Sequence, residues 1–402
     1  MLSQRSPSLV RSLLIGRALR AFADGYVAIL LPAYLLSLAL GTIEVGILAT
    51  TTLLGSAVAT LAVGAMGHRF HHRTLLTGAA LLMAVTGFAF AMGSSFWPLL
   101  LIAFIGTLNP SSGDVSVFLP LEHARLADAA DGAARTTLFA RYSLLGALFA
   151  ALGALATALP ASLAALTGLT ALDGLRLMFV LYGLIGCLVF ALYRRIPPAR
   201  AGEVIHPPSP LGPSRSVVIR LAALFSVDSF AGGLVVNALL ALWLFKRFDL
   251  SLADTGHFFW WSGLLGALSQ LAAPVLARRI GLLNTMVFTH IPASVCLIAA
   301  ACATRLDVSL GLLLARALLS QMDVPARSAF VMAVVTPGER AAAASFTAVP
   351  RSLAAALSPA LGGAMFAAGW LAAPLVICGG LKIAYDLALW RAFKATSAIS
   401  PK

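Results

Sequence analysis

The sequence predicts an all-α integral membrane protein with twelve transmembrane helices arranged as two six-helix pseudo-repeats. Three observations predict it: a charge-poor composition, twelve apolar stretches long enough to cross a bilayer, and residues that recur at matching places in the two halves. Of 402 residues, 60% are hydrophobic and 11% charged, whereas a soluble domain carries roughly 25% charged residues. The net charge of +13 does not mark a nucleic-acid binder. Its basic residues sit in short segments between apolar runs, with no basic-aromatic patch.

A run of about 20 apolar residues crosses the hydrocarbon core as a helix, because only then is every backbone group bonded internally. The twelve expected spans are 13–38, 45–66, 75–93, 97–119, 136–158 and 172–193, then 217–245, 255–276, 283–303, 308–329, 342–366 and 370–390. The first is long enough to span and lacks a small-residue cleavage site, so it reads as a helix, not a removed signal peptide. Between spans 6 and 7 lies a polar, proline-rich segment with Pro197, Pro198, Pro207, Pro208, Pro210 and Pro213. It divides the chain into a six-helix bundle at 1–193, a cytoplasmic linker at 194–215 and a second bundle at 216–402.

Lys and Arg set the expected orientation. Arg69, Arg73, Arg125, Arg135, Arg194, Arg195, Arg278, Arg279 and Arg340 fall in segments on the side of the termini, against Arg176, Lys246, Arg247 and Arg305 opposite. Both termini are therefore expected in the cytoplasm, with the chain multi-pass in the cell inner membrane. Cys187, Cys296, Cys302 and Cys378 lie in apolar runs without paired spacing and read as buried hydrophobes.

The halves echo one another. Span 1 carries Phe22-Ala23-Asp24-Gly25-Tyr26 and span 7 carries Ser226-Val227-Asp228-Ser229-Phe230; Asp114 in span 4 answers Asp323 in span 10, and Arg141 in span 5 answers Arg351 in span 11. A duplicated six-helix unit places its binding site where the halves meet.

After span 2 the chain reads GAMGHRFHHR, from Gly64 to Arg73. This resembles the loop signature of the major facilitator superfamily, in its bacterial form. Gly64, Arg69 and Arg73 match, while His68 stands where an aspartate is usual and His71 replaces a glycine. Ala277-Arg278-Arg279-Ile280-Gly281 repeats a fragment of it in the second half. The resemblance implies that spans 1, 4, 7 and 10 line a central cavity. It also implies gating pairs between a loop arginine and an acidic residue, Arg69 with Asp114 and Arg279 with Asp323, while Arg327, one turn from Asp323, competes for it. Two departures separate the chain from typical drug/proton antiporters. Leu101 to Asn109 in span 4 has no arginine, although span 10 has Arg316. Gly146 to Gly153 in span 5 lacks a proline, although span 11 has Ser358-Pro359 before Gly362-Gly363.

Ionisable residues inside a membrane cost at least about 2.5–3.5 kcal/mol on insertion scales, so they face a cavity or a partner. Asp24 and Asp228 sit roughly 18 Å into their spans at 1.5 Å per residue, near the midplane. Each is read either as a proton-coupling carboxylate or as half of a structural ion pair. Arg20, one turn before Asp24, is a candidate for substrate or for that pair. Arg316, two turns before Asp323, is placed to bind an anionic substrate group or to pair with Asp228. Arg351, Gln321 and the polar, kink-prone Asn109-Pro110-Ser111 are further substrate candidates. His290, followed by Pro292, is expected to bond a freed carbonyl. Lys382 and Asp386 are expected to form a local salt bridge. His68, His71 and His72 read as a basic membrane edge, not a metal site.

No phosphate-binding glycine loop and no nucleophile-base constellation occurs, so neither an ATP-driven pump nor an enzyme is expected, and no cofactor. The expected function is secondary active transport of a small organic solute by alternating access, as a proton-coupled exporter acting as a monomer. The alternatives are uptake or exchange of a small anion held by Arg316 and Arg351, and a non-transporting receptor on the same scaffold.

Overall fold

The computed structural model describes residues 7–66, 70–111, 116–129, 132–196, 212–336 and 339–394. It is helical, with no strand among the described residues. Five spans are single helices, four in the first half and one in the second: α1 (Pro7–Ser37), α2 (Thr42–Met66), α3 (His72–Met92), α8 (Ala171–Tyr193) and α11 (Leu252–Ile280). Two more, α12 (Leu282–Cys302) and α17 (Ala373–Phe393), are also unbroken. The other five are interrupted. Span 4 is α4 (Phe96–Ile105) and α5 (Phe118–Ala129), and span 5 is α6 (Gly132–Leu155), a 3-10 turn at Ala156–Ala158 and α7 (Leu159–Thr167). Span 7 is α9 (Arg215–Gly233) and α10 (Asn237–Phe248), span 10 is α13 (Leu306–Ser320) and α14 (Asp323–Val334), and span 11 is α15 (Arg340–Leu357) and α16 (Pro359–Ala367).

The interruptions have local causes. Gly106 and Pro110 stop α4, Gly232-Gly233 ends α9, and Pro359 starts α16 at a first-turn position where its missing N–H costs nothing. The break in span 4 corrects the expectation at its cytoplasmic end. The helix resumes at Phe118, so Arg125, expected in a segment between spans, lies with Glu122 on a helix and both are buried.

The duplication is visible in the backbone. Ala39 (φ 60°) after α1 and Asp249 (φ 51°) after α10 are the two non-glycine residues at positive φ among the described residues. Both close the first span of a half, and each holds a left-handed turn that disfavours a Cβ by roughly 1–2 kcal/mol. Thr170 caps α8 and Ser251 caps α11, each accepting the N–H of an aspartate three residues on, at 3.2 and 3.1 Å.

The halves are joined at the end of the bundle opposite the termini. A Cβ on Gly46 of α2 would come within 2.9 Å of the Gly363 Cα of α16, so only small residues allow that approach. The Ala360 N–H donates to Thr50 Oγ1 at 2.9 Å, and Thr157 Oγ1 donates to the Leu252 carbonyl at 3.1 Å. The first turn of α10 has N–H groups without helical partners; that of Ala238 donates to the Pro110 carbonyl at 3.0 Å, joining the two unwound stretches of spans 4 and 7. A hydrophobic core runs through the first half and across this joint. Toward the termini, the second half keeps a separate cluster around Leu221, Phe225, Met286, Phe330 and Leu389.

Candidate functional site

Each half buries an ion pair between its first and fourth spans, and the polarity is reversed. In the first half α1 supplies the cation. Arg20 Nη2 lies 2.5 Å from both carboxylate oxygens of Glu122 on α5, and its guanidinium sits 4.0 Å from the Phe118 ring centroid. Tyr142 of α6 and Tyr193 of α8 both donate their hydroxyls to Glu122. A carboxylate with 0% exposure is thereby satisfied by one guanidinium and two phenols. Asp24, one turn beyond Arg20, is within electrostatic reach of Arg20 and Arg17.

In the second half α9 supplies the anion. Asp228 Oδ1 accepts from Lys382 Nζ of α17 at 2.5 Å, and Oδ2 accepts from Arg327 Nη1 of α14 at 3.1 Å. Arg327 also reaches Asp323, at 3.4 Å. His290 of α12 stands 3.0 Å through Nδ1 from Asp386, while its Nε2 is 3.5 Å from Lys382 Nζ and 3.9 Å from Asp228. Four helices thus contribute to one chain of contacts, from Asp323 through Arg327, Asp228 and Lys382 to His290 and Asp386. All are buried or nearly so, and charges at that depth persist only when paired.

The expected partners differ in several places. Lys382 and Asp386 do not pair with each other; both point inward from α17, one to Asp228 and the other to His290. His290 bonds Asp386, not a freed carbonyl. Asp323 lies with Arg327, and Arg279 is exposed at the end of α11 with no ion pair to Asp323. Arg69 and Asp114 fall outside the described residues. Arg20 is engaged by Glu122. Asn109 is buried and its Oδ1 accepts from the Ser111 N–H at 3.1 Å and hydroxyl at 2.7 Å, the bonds of a local turn. Gln321, between α13 and α14, accepts from Gln270 at 3.4 Å. Arg351 donates to Ser229 Oγ at 3.2 Å. Neither Arg316 nor Arg351 has a carboxylate within 4 Å among the described residues.

Glu122, Tyr142, Tyr193 and His290 enter the site without having been singled out for it, whereas Arg327, expected to compete for Asp323, reaches both Asp323 and Asp228. The inward face of α5 carries the clue in Phe118, Leu121, Glu122 and Arg125, a helical spacing that continues past Pro120. A cavity of about 240 Å³ lies beside the break in span 4, lined by Ser56, Val63, Gly78, Gly106, Thr107 and Ser116. Among the described residues, no charged one borders it.

The family model of the Major Facilitator Superfamily matches residues 13–322, well over half the chain. The chain belongs to this superfamily. It is therefore a multi-pass membrane transporter, a secondary carrier built for alternating access to a small-molecule substrate, and not an enzyme. A curated relative, an uncharacterized membrane protein of Saccharomyces cerevisiae, is 22% identical over 381 residues, covering 86% of this chain and 85% of its own. Among solved superfamily structures, a D-xylose-proton symporter matches with TM-score 0.76 and 16% identity over 97% of this chain and 99% of the other. The nucleoside transporter NupG matches with TM-score 0.72 and 15% identity, over 96% and 100%.

Proposed function

We propose that the protein couples proton movement to export of a small organic solute, with the Asp228 cluster as its coupling element. The carrying observation is that Asp228 is held at once by Lys382 at 2.5 Å and Arg327 at 3.1 Å, across three different helices. A proton on Asp228 removes the charge that holds α14 and α17 to α9. Protonation and helix movement are then the same event, which is what an ion-coupled carrier requires. His290 and Asp386 extend the path, since the imidazole can relay a proton between Lys382 and Asp386. Asp24 supplies a second carboxylate at matching depth in the first half.

In this reading the termini lie in the cytoplasm of the cell that holds the protein in its inner membrane. The joint at the opposite end makes the described conformation inward-facing, ready to load from the cytoplasm, and one monomer is the working unit. Two bundles, 1–193 and 216–402, rock about the site, joined by the linker at 194–215.

A second reading has its own observation. Among the described residues, Arg316 and Arg351 have no carboxylate within 4 Å, which suits an anionic group of the solute. Vesicles carrying the reconstituted protein and a pH-sensitive dye, challenged with pooled solutes, separate the readings. Export coupled to protons predicts solute-dependent pH change that Asp228→Asn abolishes while solute exchange at equal concentrations continues. Uptake or exchange of an anion predicts flux without pH change, lost in Arg316→Ala and retained in Asp228→Asn.

A further inference from the structure

A second pocket, of about 340 Å³, lies at the terminus-bearing end of α3 and α8. Its walls are His71, Arg73, Thr74 and Thr77 at the start of α3, with Phe190 and Arg194 at the end of α8. Neither Arg73 nor Arg194 has a carboxylate within 4 Å among the described residues, and the Arg194 guanidinium is steadied 5.8 Å from the Phe190 ring centroid. The positive end of the α3 dipole adds to the same field. Two guanidiniums, an imidazole and the Thr74 hydroxyl, converging from two helices, are the donor set of a phosphate site, while the Thr77 hydroxyl is spent on the Arg73 carbonyl at 2.8 Å.

What lies below the pocket decides where that phosphate comes from. The seam between α3 and α8 packs closely, a Cβ on Gly186 meeting the Ala84 backbone at 2.5 Å. Its outward face is apolar, with Leu81, Val85, Leu184 and Leu188 each more than half exposed. A ligand with a phosphate head and hydrocarbon tails would satisfy both surfaces at once. We propose that this pocket holds the phosphate of an anionic phospholipid, whose acyl chains lie along the α3–α8 seam.

The test uses the full-length protein in nanodiscs of phosphatidylcholine mixed with phosphatidylglycerol, with retained lipid counted by native mass spectrometry after detergent transfer. Wild type should retain phosphatidylglycerol over phosphatidylcholine, and Arg73→Gln/Arg194→Gln should reduce that preference about tenfold or more, the weight of two basic contacts at a membrane surface. The control Arg278→Gln/Arg279→Gln removes the same charge from exposed positions at the same end and should leave the preference unchanged. Equal losses in the two variants would overturn the site in favour of diffuse charge attraction. Displacement of the lipid by millimolar inorganic phosphate would overturn the lipid assignment in favour of a free-phosphate site. Unchanged melting of the variants in detergent verifies that the comparison is between folded proteins.

Discussion

Removing one member of a buried ion pair costs about 3–5 kcal/mol, because the partner's charge is left without compensation, whereas removing both with apolar replacements is close to neutral. This asymmetry allows the Asp228 cluster to be tested for function apart from stability. Asp228→Asn alone should lower the melting temperature and abolish proton-linked flux. Lys382→Met should destabilise similarly. The double variant Asp228→Asn/Lys382→Met should recover much of the melting temperature and none of the coupled flux. Recovery of both would make the pair a structural contact only. The Glu122 site of the first half has a different design, with three donors on one carboxylate. Tyr142→Phe or Tyr193→Phe should each cost about 1.5–3 kcal/mol, as expected for a hydrogen bond to a charged acceptor. Glu122→Gln, which strands Arg20, should cost more than either. Chemical unfolding in mixed micelles orders the three variants, and a Glu122→Gln protein as stable as wild type would remove Glu122 as the counter-ion of Arg20.

Helix identity and limits were largely legible in the sequence because a span's apolar run and its flanking charges are local. The breaks within spans were less so, since Gly106, Pro110 and Pro359 weaken a helix without stating whether it kinks, stops or resumes. Span 4 illustrates the difference: its second segment, α5, carries Glu122 and also Arg125, whose charge looked like that of a segment between spans. The linker's junction with the helices was invisible for another reason, that its contacts are distant in sequence. Glu339, just before α15, accepts from the Gly212 N–H, from the Ser214 N–H at 3.2 Å and from the Thr336 hydroxyl at 2.6 Å, while the Thr336 N–H donates to Ser214 Oγ at 3.2 Å. The side chains of Ser214 foremost and then Thr336, with the Gly212 and Ser214 N–H groups behind them, hold the Glu339 carboxyl down from 4.5 to about 2. A folded-state value below the unfolded one gives stability that is complete above pH 4.5 and lost as pH falls toward 2. Glu339→Gln should therefore melt below wild type at pH 7 and at pH 5, and the gap should close between pH 4.5 and pH 2. A gap independent of pH over that range would show that the ionised carboxylate contributes nothing to the clasp.

Across the whole molecule, the repeat was readable where it uses the same residue type at the same depth, as with Asp24 and Asp228. It was unreadable where the repeats diverge in chemistry while keeping the geometry. Arg20 with Glu122 and Arg327 with Asp228 join the same two spans of each half with the charges exchanged, so aligning like with like misses the correspondence. The joint between the halves has the same two-fold logic, α2 against α15 and α16 in one place and α11 against α6 in the other. Alternating access requires that this joint open in every cycle. Thr50 and Ala360 face each other across it within a hydrogen bond of 2.9 Å, which puts their backbones within disulfide reach. In a background with Cys187, Cys296, Cys302 and Cys378 replaced by Ser or Ala, the pair Thr50→Cys/Ala360→Cys should form a bridge on mild oxidation. Solute-dependent proton movement should stop with the bridge and return with a reductant, while either single variant should be unaffected by the oxidant. A fully bridged protein that still turns over would mean that the halves do not part at this joint, and the path of the solute would have to pass elsewhere between them.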